Sequence, residues 1–208
     1  MQLACLDLEG VLIPEIWIAF AERVGIDALR ATTRDIPDYD VLMQQRLRIL
    51  AEHNLTLDQI QEVISTLQPL PGAVEFLDWL RARFQVVILS DTFYEFALPL
   101  MRQLGYPTLL CHRLEANEAG QIVAYHLRQK DPKRQAVKAF QGLNMQCIAT
   151  GDSYNDTTML GQAERGILFS APAQVRAEFP QFPAVDTYAQ LQDAFLLAQA
   201  ELNAVIKS

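Results

Sequence analysis

Short apolar runs that end in polar residues recur along the chain and predict the strands of a parallel sheet. These runs cover residues 3–6, 86–89, 108–111, 147–149 and 166–169. Continuous apolar runs of this length are typical of strands buried on both faces, and helical periodicity fills most of the intervals between them. The alternation predicts an α/β fold with a Rossmann-like, doubly wound and mostly parallel sheet.

One interval differs from the others, because residues 15–68 show helical periodicity alone. Three helices are predicted there. The first begins at Glu15 and ends near Gly25, the second is capped by Asp38, and the third begins at the capping-box pair Thr56 and Gln59. Two prolines and a glycine in segment 69–72 are typical of a boundary or hinge. We therefore predict a helical cap at residues 15–68, inserted after the first strand of an α/β core that comprises residues 1–14 and 69–208.

The second half of the chain continues the alternation. Helices are predicted at residues 73–83, 96–104, 157–163 and 191–205 and from Asp131 onward, and a β-hairpin is predicted within residues 114–127. Asp131 is expected to cap its helix, because an aspartate followed by proline is a common helix start.

Acidic residues follow three of the predicted strands. They are Asp7 and Glu9 after the first strand, Asp91 after the second, and Asp152 and Asp156 after a later one. The carboxyl ends of parallel strands share one edge of the sheet, so we expect these groups to lie close together. Asp7 and Glu9 would repel each other there unless a cation, a proton or a phosphoryl group lay between them. Oxygen ligands of this kind suit Mg²⁺.

Ser90 and Lys133 add groups that bind phosphate. Ser90 supplies a hydroxyl at a strand end, and Lys133 supplies an ammonium at a predicted helix start, where free N–H groups attract anions. The acidic cluster can provide a carboxylate nucleophile and a second carboxyl group for proton transfer. The combination indicates phosphoryl transfer through an aspartyl phosphate.

Composition narrows the partners and the compartment. A formal net charge of -8 disfavours nucleic acid or an anionic membrane as a bulk partner. No apolar stretch approaches the roughly 20 residues of a membrane span, and residues 1–12 carry acids where a signal peptide needs a basic and then an apolar segment. Cys5, Cys111 and Cys147 share no metal-ligand spacing. We expect reduced, buried thiols in a cytoplasmic protein.

Four segments together resemble the motifs of the haloacid dehalogenase superfamily. They are residues 7–12, Ser90, Lys133 and residues 151–156, in the family order. The helical insert after the first motif is similar to the cap of the phosphoserine phosphatase branch. The run from Ala4 to Asp40 resembles those members of the branch that act both as phosphoserine phosphatases and as phosphoserine:homoserine phosphotransferases.

The resemblance implies roles around the reacting phosphorus. Asp7 is expected to be the nucleophile that attacks phosphorus in line. Mg²⁺ is expected to be held by the Asp7 carboxylate, the Glu9 backbone carbonyl and Asp152. The Glu9 side chain is expected to protonate the departing serine oxygen and then to deprotonate the incoming water or alcohol.

The resemblance also implies groups that hold the substrate. Ser90, the Asp91 backbone, Lys133 and Asn155 are expected to hold phosphoryl oxygens or the bound substrate, with Asp156 supporting the metal's water shell or Lys133. In the cap, Glu15 is expected to bind the ammonium of the amino acid and Arg46 its carboxylate. A bidentate guanidinium–carboxylate contact suits that task.

Glu9 departs from the common superfamily motif, which has aspartate at this position. The additional methylene moves the carboxyl group by roughly one bond length, and misplacement by about 1 Å can cost on the order of 10²-fold in rate. We therefore hypothesise that Glu9 favours an alcohol acceptor over water.

Two other functions fit the same pattern of residues. One is a phosphatase of the same superfamily that acts on another small phosphomonoester. The other, from a different class, is a receiver-like signalling module whose aspartate is phosphorylated. A nucleotide-dependent kinase is disfavoured, since no G-x-x-x-x-G-K-[ST] loop is present. The sequence leaves the physiological acceptor and the oligomeric state open.

Overall fold

The predicted strands lie in one seven-stranded sheet, together with one further short strand, in the computed structural model of the protein, which describes residues 1–32, 35–36 and 38–206. The strands are β1 Gln2–Leu6, β2 Gln85–Phe93, β3 Thr108–Ala116, β4 Ile122–His126, β5 Gln146–Gly151, β6 Arg165–Phe169 and β7 Ala184–Val185. Their order is β4-β3-β2-β1-β5-β6-β7, and only the β3–β4 pair is antiparallel. The predicted α/β, mostly parallel fold is confirmed.

Helices cover both faces of this sheet. Within the described residues they are α1 Ile16–Val24, α2 Tyr39–Glu52, α3 Leu57–Ser65, α4 Ala73–Arg81, α5 Tyr94–Gln103, α6 Pro132–Gly142, α7 Thr157–Gln162, α8 Ala173–Glu178 and α9 Tyr188–Ile206. Helices α1 to α3 follow β1, so the predicted helical insert after the first strand is confirmed. In the described part of the chain, no helix has the length and apolar character required to cross a membrane.

The first strand shows how the apolar pattern builds two layers of core. Ala4 and Leu6 belong to a cluster that includes the buried side chains of α4 and α9, whereas Leu3 and Cys5 belong to a second cluster with α6 and α7. Successive residues of a strand point to opposite faces, so a continuous apolar run satisfies both layers at once. Full burial of a leucine-sized side chain stabilises the fold by about 1.5–3 kcal/mol.

The cap helices share the first of these clusters with the sheet. Phe20 of α1, Met43 of α2 and Ile60 of α3 are buried in the same continuous apolar cluster as Leu6 of β1. The cap also contacts the β3–β4 hairpin, where the Leu57 N–H donates to the Gly120 carbonyl at 2.7 Å. The division of the chain into two domains at residues 15–68 stays a prediction.

Two strands run further than predicted. The expected strand at 108–111 and the first strand of the expected hairpin are one element, β3, because β3 pairs with β2 along one part and with β4 along another. Likewise β2 continues past Leu89 to Phe93, and its register with β3 shifts between those two residues. Ser90 and Asp91 therefore lie in an irregular part of a strand rather than in a turn after it.

The predicted position of the start of α6 is confirmed, but the predicted capping role of Asp131 is wrong. Asp131 has a positive φ of 51° and its side chain makes no capping bond. Its carboxylate instead accepts from the Thr158 hydroxyl at 2.8 Å, which ties α6 to α7. The short elements α8 and β7 were not predicted, because two or six residues carry too little periodicity to be recognised.

The capping box of α3 gives a test of the fold. The Thr56 hydroxyl accepts from the Gln59 N–H at 3.4 Å, and the Gln59 side chain accepts from the Thr56 N–H at 3.0 Å. Replacing Thr56→Ala leaves a helix N–H without its partner, so we expect a loss of about 1 kcal/mol in the free energy of unfolding, measured by urea titration. Thr56→Ser keeps the hydroxyl and should stay near wild type; equal losses in both variants would contradict the capping role.

Candidate active site

Asp7 lies directly after β1 and is the buried centre of the candidate site. Its backbone N–H donates to the Thr150 carbonyl at 2.9 Å, and its side-chain Oδ1 accepts from the Leu8 N–H at 2.8 Å. The following loop turns through Gly10, which has a φ of 76°. A Cβ at Gly10 would lie 2.6 Å from the Asp152 carboxyl group, so only glycine lets the loop approach this closely.

Lys133 connects three of the acidic residues. Its Nζ lies 2.7 Å from an oxygen of Asp156, 2.9 Å from Asp7 and 3.4 Å from Asp91. Burial by itself would lower the pKa of this ammonium, but the three carboxylates outweigh burial and raise the pKa well above its usual value. Lys133 is therefore a buried cation that stays charged and draws side chains from three separate strand ends together.

Asp156 has both carboxylate oxygens occupied by the protein. One oxygen accepts from Lys133, and the other accepts from the N–H groups of Asp152 and Ser153 at 3.0 and 3.2 Å. The approach requires glycine at position 151, where a Cβ would lie 2.3 Å from the Asp156 carboxyl carbon. These contacts favour the predicted support of Lys133 by Asp156.

Asp7, Asp152 and Asp156 form a group that can hold a metal ion. One carboxylate oxygen of each lies within 4.8 Å of the others. Burial and the charge of Asp156 raise the pKa of Asp152 to about 7, and they raise the pKa of Asp7 well above its usual value despite the neighbouring Lys133. The charge of Lys133 does not fully offset the repulsion among these carboxylates, and their oxygens are hard donors of the kind that bind divalent cations. The donor set therefore fits the predicted metal.

Glu9 points toward the cap rather than toward the other acids. Its Oε1 accepts from the backbone N–H of Ile16, the first residue of α1, at 2.8 Å. The side chain of the preceding residue, Glu15, makes no capping bond. Burial and the nearby charge of Glu15 raise the pKa of Glu9 to about 7, a value suited to proton transfer near neutral pH.

Three predicted phosphate-binding residues lie beside Asp7 and Lys133. Ser90 is buried, and its hydroxyl accepts from the Thr92 N–H at 3.2 Å. Asn155 donates from its side-chain amide to the Asp91 carboxylate at 2.8 Å. The Asp91 side chain thus reaches the site as well as its backbone, which was the only part of this residue expected there.

Arg46 presents a buried cation from the cap. Its guanidinium carbon lies 4.4 Å from the centre of the Trp17 ring, and one terminal nitrogen donates to the Ala31 carbonyl at 2.9 Å. Burial lowers the pKa of Arg46 to about 10. Its buried Nε has no hydrogen-bond partner among the described residues, which leaves donor capacity for a ligand.

A cavity of about 620 Å³ brings these groups together. Its wall contains the predicted site residues Asp7, Glu9, Glu15, Arg46, Ser90, Asp91, Lys133, Asp152 and Asn155, whereas Asp156 lies behind the wall and is fully buried. Tyr39, His112 and Lys130 also line the cavity and were not predicted to do so. Tyr39 lies in a helix, His112 in a strand and Lys130 in a loop, and local sequence does not indicate which way these side chains face.

Comparison with known proteins places this arrangement among phosphatases. The family model of the haloacid dehalogenase-like hydrolases matches residues 1–164. The chain is 72% identical over 200 residues to phosphoserine phosphatase ThrH of Pseudomonas aeruginosa, covering 96% of this chain and 98% of that protein. It is 71% identical over 198 residues to a phosphoserine phosphatase of Pseudomonas syringae pv. tomato, covering 95% of this chain and 84% of that protein.

A solved structure supports the fold. The structure described as a phospho-aspartyl intermediate analogue of phosphoserine phosphatase superposes with a TM-score of 0.73 at 17% sequence identity. The superposition covers 89% of this chain and 93% of that chain. At this level of identity the similarity concerns the fold alone.

The raised pKa of Asp152 predicts how a metal stabilises the protein at different pH values. In the fold its pKa of about 7 lies above its ordinary value of 3.8, so the group ionises more readily in the unfolded chain. The metal-free fold therefore loses stability as the pH rises between those two values. A cation must displace the proton at pH 5.5 but meets a free carboxylate at pH 8. We therefore expect Mg²⁺, compared with EDTA, to raise the melting temperature more at pH 8.

The matched control is Asp152→Asn, which removes the titrating group and should abolish most of this Mg²⁺-dependent increment. A gain in melting temperature that is equal at both pH values in the wild-type protein would contradict the assignment of Asp152 to the metal site.

Proposed function

This chain belongs to the haloacid dehalogenase-like hydrolases, and from that premise we propose that it is a Mg²⁺-dependent phosphoserine phosphatase that also transfers the phosphoryl group to homoserine. The observation that carries the proposal is the pairing of Asp7 with Lys133, 2.9 Å apart, in a cavity that Arg46 and Glu15 of the cap also line. Lys133 suits a phosphate, and Arg46 and Glu15 suit the carboxylate and the ammonium of an amino acid. The 72% identity to a phosphoserine phosphatase supports the same substrate.

The proposed reaction has two displacement steps at phosphorus. In the first, an oxygen of Asp7 attacks, the bond to the serine oxygen breaks, and an aspartyl phosphate forms as serine leaves. In the second, water or the homoserine hydroxyl attacks the same phosphorus and Asp7 is released. Bound Mg²⁺ would neutralise charge between Asp7, Asp152 and the phosphoryl oxygens; the set Asp7, the Glu9 carbonyl and Asp152 remains our proposed ligand set.

Glu9 is proposed to move the protons of both steps. It gives a proton to the departing serine oxygen and then takes one from the incoming water or alcohol. Its bond to the Ile16 N–H fixes the carboxyl group while leaving the second oxygen for this task. A pKa of about 7 lets the group act as an acid and then as a base at neutral pH.

The phosphoryl oxygens are proposed to be held by Ser90, the Asp91 backbone, Lys133 and Asn155. Lys133 is suited to this role because it remains charged although it is buried. Its ammonium already contacts Asp7, so a phosphoryl group in line with Asp7 would lie within reach of the same cation. Asp156 is proposed to hold Lys133 in that position.

The amino-acid end of the substrate is proposed to bind in the cap. Arg46 would take the α-carboxylate and Glu15 the ammonium. The stacking of Arg46 on Trp17 fixes the plane of the guanidinium, which favours a two-point contact with a carboxylate. Since serine and homoserine share these two groups, the same cap residues would serve donor and acceptor. We propose that the cap, residues 15–68, closes over the site about hinges at Pro14 and segment 69–72.

A second candidate is a phosphatase of the same family that acts on another small phosphomonoester. Hydrolysis of a generic aryl phosphate without hydrolysis of phosphoserine would select it. Family membership disfavours the receiver-like module, which would consume a phosphodonor only about stoichiometrically.

Incubation with phosphoserine, Mg²⁺ and homoserine tests the proposal directly, with free phosphate and phosphohomoserine followed separately. Asp7→Asn lacks the nucleophilic carboxylate, so we expect both products to fall by on the order of 10³-fold or more. Circular dichroism and the melting temperature check that the variant remains folded. Survival of either product at wild-type rate would exclude Asp7 as the obligatory nucleophile.

Glu9→Asp tests whether the longer acid sets the acceptor preference. The shorter side chain would no longer reach the Ile16 N–H, and its carboxyl group would resemble that of the common family motif. We expect the ratio of hydrolysis to transfer to rise, measured from the same two products, with a change in total rate of up to about 10²-fold.

Glu9→Gln is the companion variant, because it keeps an acceptor for the Ile16 N–H but cannot carry a proton. Both products should decrease together in this variant. An unchanged ratio in Glu9→Asp would remove Glu9 from the explanation of acceptor choice.

A further inference from the structure

His112 lies in β3, outside the four motifs, and its ring is 3% exposed in the wall of the cavity. Its Nδ1 accepts from the backbone N–H of Arg128 at 3.1 Å. A nitrogen that accepts a hydrogen bond must keep its lone pair, so the proton of the neutral ring is on Nε2. The main chain after β4 therefore selects the tautomer of this histidine.

The Nε2 atom of His112 faces the Asp91 carboxylate. The distance to Oδ1 is 3.7 Å, which is beyond hydrogen-bond length and leaves an electrostatic attraction between the N–H dipole and the carboxylate. The other oxygen of Asp91 accepts from Asn155 at 2.8 Å and lies 3.4 Å from the ammonium of Lys133. Asp91 thus connects His112 to two groups proposed to hold phosphate.

The direction of the Asp91 carboxylate matters because a phosphate would bind next to it. The Asp91 side chain is 31% exposed, so its negative charge has access to the cavity. A carboxylate turned into the cavity would repel a phosphate dianion and would break the contacts of Asp91 with Asn155 and Lys133. The attraction of His112 for the other oxygen of the carboxylate, Oδ1, opposes that rotation.

We propose that His112 is a positioning residue for the phosphate end of the site, acting through Asp91 on Asn155 and Lys133. The inference rests on the proposed function only in taking Asn155 and Lys133 as phosphate-binding groups. It requires no particular organic substrate. A competing role for His112 is to anchor the chain after β4 through the Arg128 N–H, with no effect on phosphate.

Two amide substitutions separate these roles. His112→Asn places a carbonyl oxygen near the position of Nδ1, so it keeps an acceptor for Arg128 but loses the donor that faces Asp91. His112→Gln places an amide nitrogen near the position of Nε2, so it keeps the donor but loses the acceptor. The positioning role and the anchoring role therefore predict opposite orders of effect.

The experiment measures the binding of inorganic phosphate to the full-length, Mg²⁺-loaded protein by calorimetry, together with kcat and KM for phosphoserine. We expect His112→Asn to weaken phosphate binding by about 10-fold, as for other residues that orient a binding group. The loss should appear mainly in KM. His112→Gln should keep phosphate binding within about 3-fold of wild type. His112→Asn should therefore bind phosphate more weakly than His112→Gln when the two variants have matched melting temperatures.

The reverse order, or wild-type binding in both variants, overturns the proposal. If both variants lose stability, the combination with Asp91→Asn decides. In an Asp91→Asn background, which lacks the carboxylate that His112 faces, adding His112→Asn should cause little further loss of phosphate binding because both substitutions act through one contact. Fully additive losses count against the proposal. Phosphate binding without phosphoserine turnover in the wild-type protein would reject the proposed substrate and leave this test intact.

Discussion

The ammonium of Lys133 is the interaction on which the rest of the site depends. Asp7, Asp91 and Asp156 come from three separate strand ends, and their carboxylates lie within 3.4 Å of this one buried nitrogen. Without it the carboxylates would face one another in a region of low dielectric. Removal of one partner from a buried ion pair typically costs about 3–5 kcal/mol. A site that must accept a phosphate therefore already contains a cation, placed by the folding of the protein itself.

Glycine residues permit the close packing that this cation requires. The loop after β1 and the loop after β5 meet because β1 and β5 are neighbours in the sheet. At Gly10 and Gly151 any side chain would overlap a carboxyl group of Asp152 or Asp156. The backbone can then bring two acidic loops within the span of one metal ion. Burial, together with repulsion from Asp156, raises the pKa of Asp152, and a divalent cation would relieve the repulsion.

The cap and the core are joined at the site by Glu9. Its carboxylate belongs to the loop after β1, yet its hydrogen-bond partner is the first N–H of α1. A change in the position of α1 would therefore alter the environment of the group proposed to carry protons. The longer side chain of glutamate is what spans this gap. Glutamate in place of the aspartate of the common family motif thus links the loop after β1 to α1, and the same side chain is the one proposed to affect the choice of acceptor.

The sequence by itself determined most of the strands, most of the helices and the edge of the sheet at which the acids gather. Apolar runs and caps are local patterns, and the carboxyl ends of parallel strands must share an edge. Only the tertiary structure showed that both oxygens of Asp156 accept hydrogen bonds from the protein, that Glu9 bonds to Ile16 and that His112 faces Asp91. These contacts join residues on different elements, and their distances depend on register and packing, which no local pattern specifies.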